Sequence, residues 1–388
     1  MRGRDVKKVK LLAFALYDAG ETLLGALVFS TAFPLTASAL VGPDGYALLN
    51  GLTLLLSVLL ALWAGVLADR RGLRKPFFVL FSLLTGLLVL TAGLTLSRPY
   101  VFLALMLLAV AAHQQAMAFY NTLLFNFDER GLPSGLGVSA GYLASSAALL
   151  LLADRLGGPL PYLLSGTLFL LLALPAFTLL ENPGRADPTP LKTLTRNRPV
   201  LFFLLSVFFL AQVANAVVAL MGVYLKHLYG LKEAELLKLL GLSGLGGVAG
   251  GLFWGLAADR LGAKRVFGAG FVLWSLFLLW LYLEEGDGLL PLGLFTGFSL
   301  AHLWSVSRVV LLEALPAGVL ALGSGALSLS ERLSGALGLL FWGTVYALTR
   351  DYRQSALSML VFPAAGALFY ALFLKLSRKQ TPDAPPRA

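Results

Sequence analysis

Runs of apolar residues, each cut short by Gly, Pro or charge, divide the chain into segments of membrane-spanning length. They fall at 11–40, 46–68, 76–97, 99–125, 134–153 and 160–180. Past a polar stretch from Glu181 to Arg198, six more fall at 199–226, 235–258, 266–283, 289–313, 319–348 and 355–376. A helix needs about 20 apolar residues to cross the hydrocarbon of a bilayer. Runs such as Phe77 to Leu96 are apolar on every face, whereas the strands of an outer-membrane barrel alternate. The pattern therefore predicts an all-α membrane protein with twelve transmembrane helices in two six-helix halves, residues 1–181 and 199–376. The linker between them, 182–198, holds Pro183, Pro188 and Pro190 and reads as extended. Residues 377–388 are expected to form a disordered cytoplasmic tail.

Composition agrees with this reading: 58% of the 388 residues are hydrophobic, 13% are charged, and the mean hydropathy is +0.82. A water-soluble globule is excluded. The net charge of +10 would suit a nucleic-acid binder, but its placement argues otherwise. The face that carries both termini holds 21 Lys and Arg, the opposite face seven, and Arg308 and Arg332 lie within spans. The positive-inside rule then puts both termini in the cytoplasm of a multi-pass protein of the cytoplasmic membrane, with no nucleic-acid partner. The first apolar run is long and has no small-residue cleavage site before the next span, so the first helix is read as a retained anchor. With no Cys and three His, thiolate metal sites, disulfides and cysteine nucleophiles are excluded. No nucleophile and base stand out as a pair, so neither an enzyme nor a cofactor is expected.

A loop sequence occurs twice. Gly65-Val-Leu-Ala-Asp69-Arg70-Arg71-Gly72-Leu-Arg74-Lys75 follows the second span, and Gly255-Leu-Ala-Ala-Asp259-Arg260-Leu261-Gly262-Ala-Lys264-Arg265 follows the eighth, so that Asp259 stands in the second copy where Asp69 stands in the first. Such a repeat marks two homologous halves, as in transporter folds. A small Gly lets helices approach, Asp can meet a neighbouring helix end, the second Gly turns the loop, and the basic residues hold it in the cytoplasm. This pattern resembles the loop motif of the major facilitator superfamily, G-x-x-x-D-R-x-G-R/K-R/K. Ala15-Leu16-Tyr17-Asp18, Phe119-Tyr120-Asn121, Ser134-Gly-Leu-Gly137, Gly141-Tyr142-Leu143 and Trp304-Ser-Val-Ser307-Arg308 are similar to the unknown-major-facilitator family. That family includes a fungal autophagy-related vacuolar effluxer of amino acids. The resemblance implies the major facilitator fold and export of small amphipathic solutes. Two departures from the family are Ala19-Gly20-Glu21-Thr22 after Tyr17-Asp18, and Ala-Leu-Gly-Ser at 321–324 before the eleventh span.

The resemblance also implies a central cavity lined by the first, fourth, seventh and tenth spans. Those spans carry the polar residues. Asp18 and Glu21 lie one turn apart, roughly 10 and 15 Å along the first span from Leu11. A carboxylate at that depth costs on the order of 3 kcal/mol unless it is protonated, paired or wet. The two acids are therefore candidates for substrate or proton binding, a protonated structural acid being the alternative. His113, Gln114 and Asn121 on the fourth span and His302 and Trp304 on the tenth are further candidates. The separation of the two histidines along the chain matches that of Asp69 and Asp259 to within one position. They read as symmetry mates, in contact with substrate or protons, or simply packed. Gln212 and Asn215 on the seventh span bind substrate or bridge helices. Glu331 and Arg332 interrupt the eleventh span with partners the sequence does not name. Glycine-rich stretches at 241–251 and 135–141 lack the Lys-Ser/Thr ending of a phosphate loop and read as close helix packing.

Candidate gating residues are Asp69, Arg70, Asp259, Arg260 and Arg308, with the two aspartates holding an outward-open arrangement. Arg308 is placed near the cytoplasmic boundary, within reach of Asp259. The expected function is alternating-access transport of a small organic solute, with proton coupling through Asp18 and Glu21 and export of amino acids or similar solutes. A monomer in the lipid bilayer is expected, with no ATP site. Rival readings are an exporter of drugs or lipid-like amphiphiles, favoured by the 26 Phe, and a non-transporting membrane receptor.

Overall fold

A computed structural model describes residues 2–152, 157–183, 191–316 and 319–380. The described residues form helices and connecting turns. We label the twelve long ones α1 (Asp5–Gly42), α2 (Leu48–Arg71), α3 (Arg74–Leu94), α4 (Pro99–Thr122), α5 (Gly131–Leu152), α6 (Leu160–Leu179), α7 (Arg198–Tyr229), α8 (Glu233–Leu261), α9 (Ala263–Leu283), α10 (Leu289–Ala314), α11 (Leu320–Thr349) and α12 (Val361–Gln380). Among the described residues, eleven spans are long and apolar enough to cross a bilayer by length and composition. The remaining one, α11, is the span that Glu331 and Arg332 interrupt.

Several boundaries differ from the sequence expectation. Helical structure begins at Arg2 and passes through a π-helical stretch, Gly25–Ala32, before the chain kinks at Gly42 (φ 77°) and runs on into α2. The linker is not wholly extended, because Leu191–Arg196 forms a short helix and Asn197 accepts the Val200 N–H to start α7; residues 184–190 lie outside the described residues. A short helix, Tyr352–Ser358, precedes α12, which continues through 377–380 where the tail was expected. Residues 381–388 of that tail lie outside the described residues.

The repeated loop folds the same way twice. Gly72 and Gly262 end α2 and α8 with φ of 68° and 89°, a backbone region that side chains with a Cβ rarely enter. Gly65 packs on the start of α11, where an added Cβ would stand 3.1 Å from the Leu322 backbone, and Gly255 packs on the start of α5, 2.6 Å from the Gly131 carbonyl. α5 and α8 lie backbone to backbone across the two halves: a Cβ on Gly135 would meet the Gly251 oxygen at 2.1 Å. The glycine stretches thus pack helices closely, as the sequence indicated. Large apolar side chains such as Trp63, Leu151 and Leu348 cover the outside of the bundle, the pattern of a surface that faces lipid. On the side of the termini, Lys10 of α1 meets Glu181 at 2.5 Å, while Asn182 donates to the Gly72 carbonyl at 2.6 Å and Lys75 to Leu180, tying the end of α6 to α1 and to the first repeated loop. The Lys10 ammonium holds the exposed Glu181 carboxyl below its ordinary range, and Lys7 does the same to Asp128.

Candidate functional site

Each aspartate of the repeated loops receives the first turn of a helix from the opposite half. Asp69 accepts the N–H groups of Ala321 and Leu322 at 3.1 Å each, while Asp259 accepts those of Gly131 and Leu132 at 2.7 and 2.6 Å. A carboxylate suits a helix N-terminus because the unpaired N–H groups and the helix dipole both favour negative charge. Arg74 adds a buried bond from Nε to Asp69 at 2.7 Å. Its counterpart Lys264 instead stands over the Phe373 ring, 5.7 Å away. Arg70 and Arg260 are exposed. These contacts close the face that carries the termini, since they join the ends of α2 and α8 to the beginnings of α11 and α5.

Above them lies a cavity of about 680 Å³ between the halves. Its floor holds Asp18, Asn121, Ser307 and Arg308; its upper walls hold Thr31, Leu149, Leu225, Leu239 and Leu289, residues near the helix ends remote from the termini. The space therefore extends toward the face opposite the termini.

Arg308 forms the centre of the floor. Its Nη2 donates to Asp18 Oδ2 at 3.0 Å and to the Ser134 carbonyl at 2.6 Å, its Nε donates to Ser134 Oγ at 2.5 Å, and both acid and guanidinium side chains are only 6% exposed. The Tyr120 hydroxyl stands 2.9 Å from the Phe14 carbonyl and 3.1 Å from Asp18 Oδ2. Phe14 and Tyr120 stack at 4.3 Å beside the guanidinium, which lies 5.6 and 5.8 Å from their centroids. The pair crosses between halves. This corrects the expected Arg308–Asp259 contact. Arg308 is six residues, about 9 Å, inside the Ala314 end of α10, at the level of Asp18, whereas Asp259 sits two residues from the end of α8 and is taken by α5.

Glu21 also borders the cavity. Its Oε1 is 3.0 Å from His113 Nε2 and its Oε2 receives the Thr22 hydroxyl at 3.1 Å. Asn121, Asn215 and Trp304 line the cavity too, Asn215 donating to the Glu331 carbonyl at 2.8 Å and to Ser334 at 2.9 Å. Four of the candidates lie outside the lining, His113 standing behind Glu21 and the other three elsewhere. His302 is buried beside Trp254 and Phe267, its Nε2 3.0 Å from the Val266 carbonyl, so its resemblance to His113 is one of sequence position and not of surroundings. Gln212 is buried where α7 meets α11, and Gln114 is half-buried on α4, next to a Gln115 that donates to the Ser57 carbonyl.

Sequence reasoning missed Ser134, Arg74, Tyr142 and the cavity position of Glu331. Ser134 had a signal in Ser134-Gly-Leu-Gly137, since Gly137 is where a Cβ would stand 2.2 Å from Asp18 Oδ2.

A family model described as Major Facilitator Superfamily matches residues 11–252 and 234–388. A protein of Aquifex aeolicus (strain VF5), described as "Uncharacterized protein", is 47% identical over 372 residues, 95% of this chain and 98% of that one. Among solved structures, FucP in the outward conformation superposes with a TM-score of 0.73 at 15% identity, over 94% of this chain and 98% of that chain. A bacterial homologue of the iron transporter ferroportin gives 0.71 at 16%, over 95% and 98%, and the human organic anion transporter MFSD10 gives 0.68 at 17%, over 95% and 99%. Twelve helices in two halves, with the loop motif present once in each, agree with the family match, and the chain belongs to the major facilitator superfamily of secondary transporters of small solutes.

Proposed function

We propose that the protein exports an amino acid or a similar small zwitterionic solute from the cytoplasm by alternating access, coupled to protons. The observation that supports this most is the composition of the cavity floor: the opposite charges of Asp18 and Arg308 meet at one point, with Glu21, Asn121 and Asn215 beside them and apolar walls above. A zwitterion offers a carboxylate to the guanidinium and an ammonium to the acids, and its side chain fits among Val138, Met221 and Leu240. Export direction rests on the resemblance to the vacuolar effluxer. The excess of basic residues on the terminus-bearing face supports cytoplasmic termini, which makes the closed face cytoplasmic and the arrangement outward-open. The protein acts as a monomer in this reading, each chain holding a complete cavity.

Proteoliposomes loaded with labelled amino acids test it. Efflux that accelerates when a pH gradient is imposed supports the reading; no movement of any amino acid in either direction overturns it. A second reading, export of apolar amphiphiles, is favoured by the many Leu, Val and Met side chains of the cavity wall. Efflux of a lipophilic dye with none of amino acids would select it.

A further inference from the structure

The two seams between the halves differ in length. α5 meets α8 along almost its whole course, from the Gly131–Gly255 approach to Leu150, which an added Cβ on Gly241 would meet at 2.8 Å. That stretch is about 29 Å of helix. Midway, Ser139 Oγ donates to the Val248 carbonyl at 2.7 Å. Farther out the Tyr142 ring lies on Gly247, and Ser146 lies against Gly244, its Cβ 3.3 Å from the Cβ that alanine would place there.

α2 meets α11 over a shorter distance. An added Cβ on Gly65 would stand 3.1 Å from the Leu322 backbone and one on Gly325 3.6 Å from Ala61, a residue about 15 Å from the Arg71 end of α2. Beyond that level each helix packs into its own half: the Ser57 carbonyl receives the Gln115 amide of α4, and an added Cβ on Gly338 of α11 would stand 2.7 Å from the Gln212 carbonyl of α7. The cavity shows the same asymmetry. Ser146 and Gly244 form its wall at the α5–α8 seam, whereas Ser30 of α1 and Val218 of α7 border it and are exposed.

We propose that the outer part of the α5–α8 seam, from Ser139 to Leu150, stays shut throughout the cycle and is the axis about which the halves swing, so that the mouth opens and closes on the side of α1, α2, α7 and α11; the inference rests on alternating access through this cavity. The mouth is open in the present arrangement while this seam is shut, so opening outward does not require the seam to part. Closing the mouth brings the outer ends of the halves nearer and gives no cause to part it either. Glycines on α8 leave no ridge for α5 to climb over, which lets two touching backbones pivot without side chains having to clear one another. The terminus-bearing end of the same seam is built differently. There Asp259 holds α5 through two N–H groups, and a swing about the outer part releases that cap together with the Asp69 cap.

Spin labels test this without a solute, since the chain has no native Cys. A seam pair at Leu151→Cys and Leu242→Cys and a mouth pair at Leu35→Cys and Val223→Cys occupy exposed positions in the outer parts of α5, α8, α1 and α7. Asp69→Asn/Asp259→Asn removes both caps and supplies the background that opens the opposite face. In it the mouth pair should gain a shorter component while the seam pair keeps the parent's distribution. A seam pair that shifts along with the mouth pair, or a mouth pair that stays unchanged while the terminus-bearing face opens, overturns the proposal. Should loss of the caps not shift the population, a disulfide serves instead: Ser146→Cys and Gly244→Cys lie within bridging reach. Their oxidation, verified by mass, should leave amide exchange at Gly131 and Ala321 as it is in the reduced protein. Faster exchange there on oxidation would mean that a shut seam drives the halves into the other arrangement, and failure to bridge would mean that the seam is not closed; either result overturns the proposal. None of these readouts involves transport, so failure of every amino acid to move would overturn the transport reading and leave the result for the seam standing.

Discussion

Asp69 and Asp259 each cap a helix of the half to which they do not belong, and the helices they cap repeat at the same interval, for Ala321 follows Gly131 along the chain by as many positions as Asp259 follows Asp69. The two caps are one device applied twice by the internal repeat. A carboxylate accepting two N–H groups makes charge-assisted bonds, each worth roughly 1.5–3 kcal/mol. Both must break before the terminus-bearing face opens.

Replacement of either aspartate should therefore shift the population toward an arrangement open on that face. Asp69→Asn keeps one acceptor but loses the charge and turns an amide N–H₂ toward two donors. The absence of native Cys permits spin labels at Arg70→Cys and Leu261→Cys, exposed positions on opposite halves. The inter-label distance should gain a longer component in Asp69→Asn and in Asp259→Asn, more so in the double variant. An unchanged distribution in all three would confine the motif to topology.

The Asp18–Arg308 pair predicts non-additivity. Removing one partner of a buried pair costs about 3–5 kcal/mol because the other charge is left unsolvated, so Asp18→Asn and Arg308→Gln should each lower the melting temperature sharply. The double variant should melt no lower than the worse single variant. Arg308→Lys should fail to restore stability, since a single ammonium does not reproduce a planar fork that bonds Asp18 and both oxygens of Ser134. Additive losses would mean that the pair is not one interaction.

Much of the architecture was legible because period and composition act locally: an apolar run of about 20 residues specifies its own helix. The repeated motif also disclosed its geometry, for Gly72, Gly262, Asp69 and Asp259 do what their chemistry allows. The partners were less legible. Arg308 was matched to Asp259 by proximity along the fold, yet the depth of a group on one helix has to be compared with every acid at that level, and Asp18 is the one that is free of a helix cap. His302 was matched to His113 by offset, but an offset fixes helix position and not the face, and α10 turns that face into the second half among Trp254 and Phe267. The early start of helical structure at Arg2, ahead of α1, was hidden because these first turns are charged and the apolar pattern begins only at Leu11.

Acid should loosen one loop on the face opposite the termini. Burial pushes the Glu284 carboxyl up, but N–H donors of Gly288 and Gly286 and the Trp280 indole outweigh it and leave the group below its ordinary range. A depressed carboxyl stabilises the fold fully above its unfolded pKa of about 4.3, and that contribution disappears as the pH falls through the lower folded value. Amide exchange of Gly286 and Gly288 should thus speed up, relative to the intrinsic rate, below about pH 4. Glu284→Gln should show the faster exchange already at neutral pH. Equal protection in parent and variant at neutral pH would remove Glu284 from the loop.

Gly137 should be the least replaceable small residue of the floor. A Cβ built there stands 2.2 Å from Asp18 Oδ2 and 3.3 Å from Arg308 Nη2, and neither atom can retreat: Asp18 is held by Tyr120 and Arg308, and Arg308 by Ser134. One methyl group therefore acts on the ion pair without altering charge. Gly137→Ala should lower the melting temperature about as much as Asp18→Asn, and combining the two should add little, because the smaller disturbance has already parted the pair. Gly51→Ala supplies the control, since nothing lies within 4 Å of its added Cβ and its backbone is helical; alanine there should be neutral or stabilising by up to about 1 kcal/mol. If Gly137→Ala melts like the parent, α5 moves away from α1 at low cost, and the close approach at Gly137 does not set the position of Asp18.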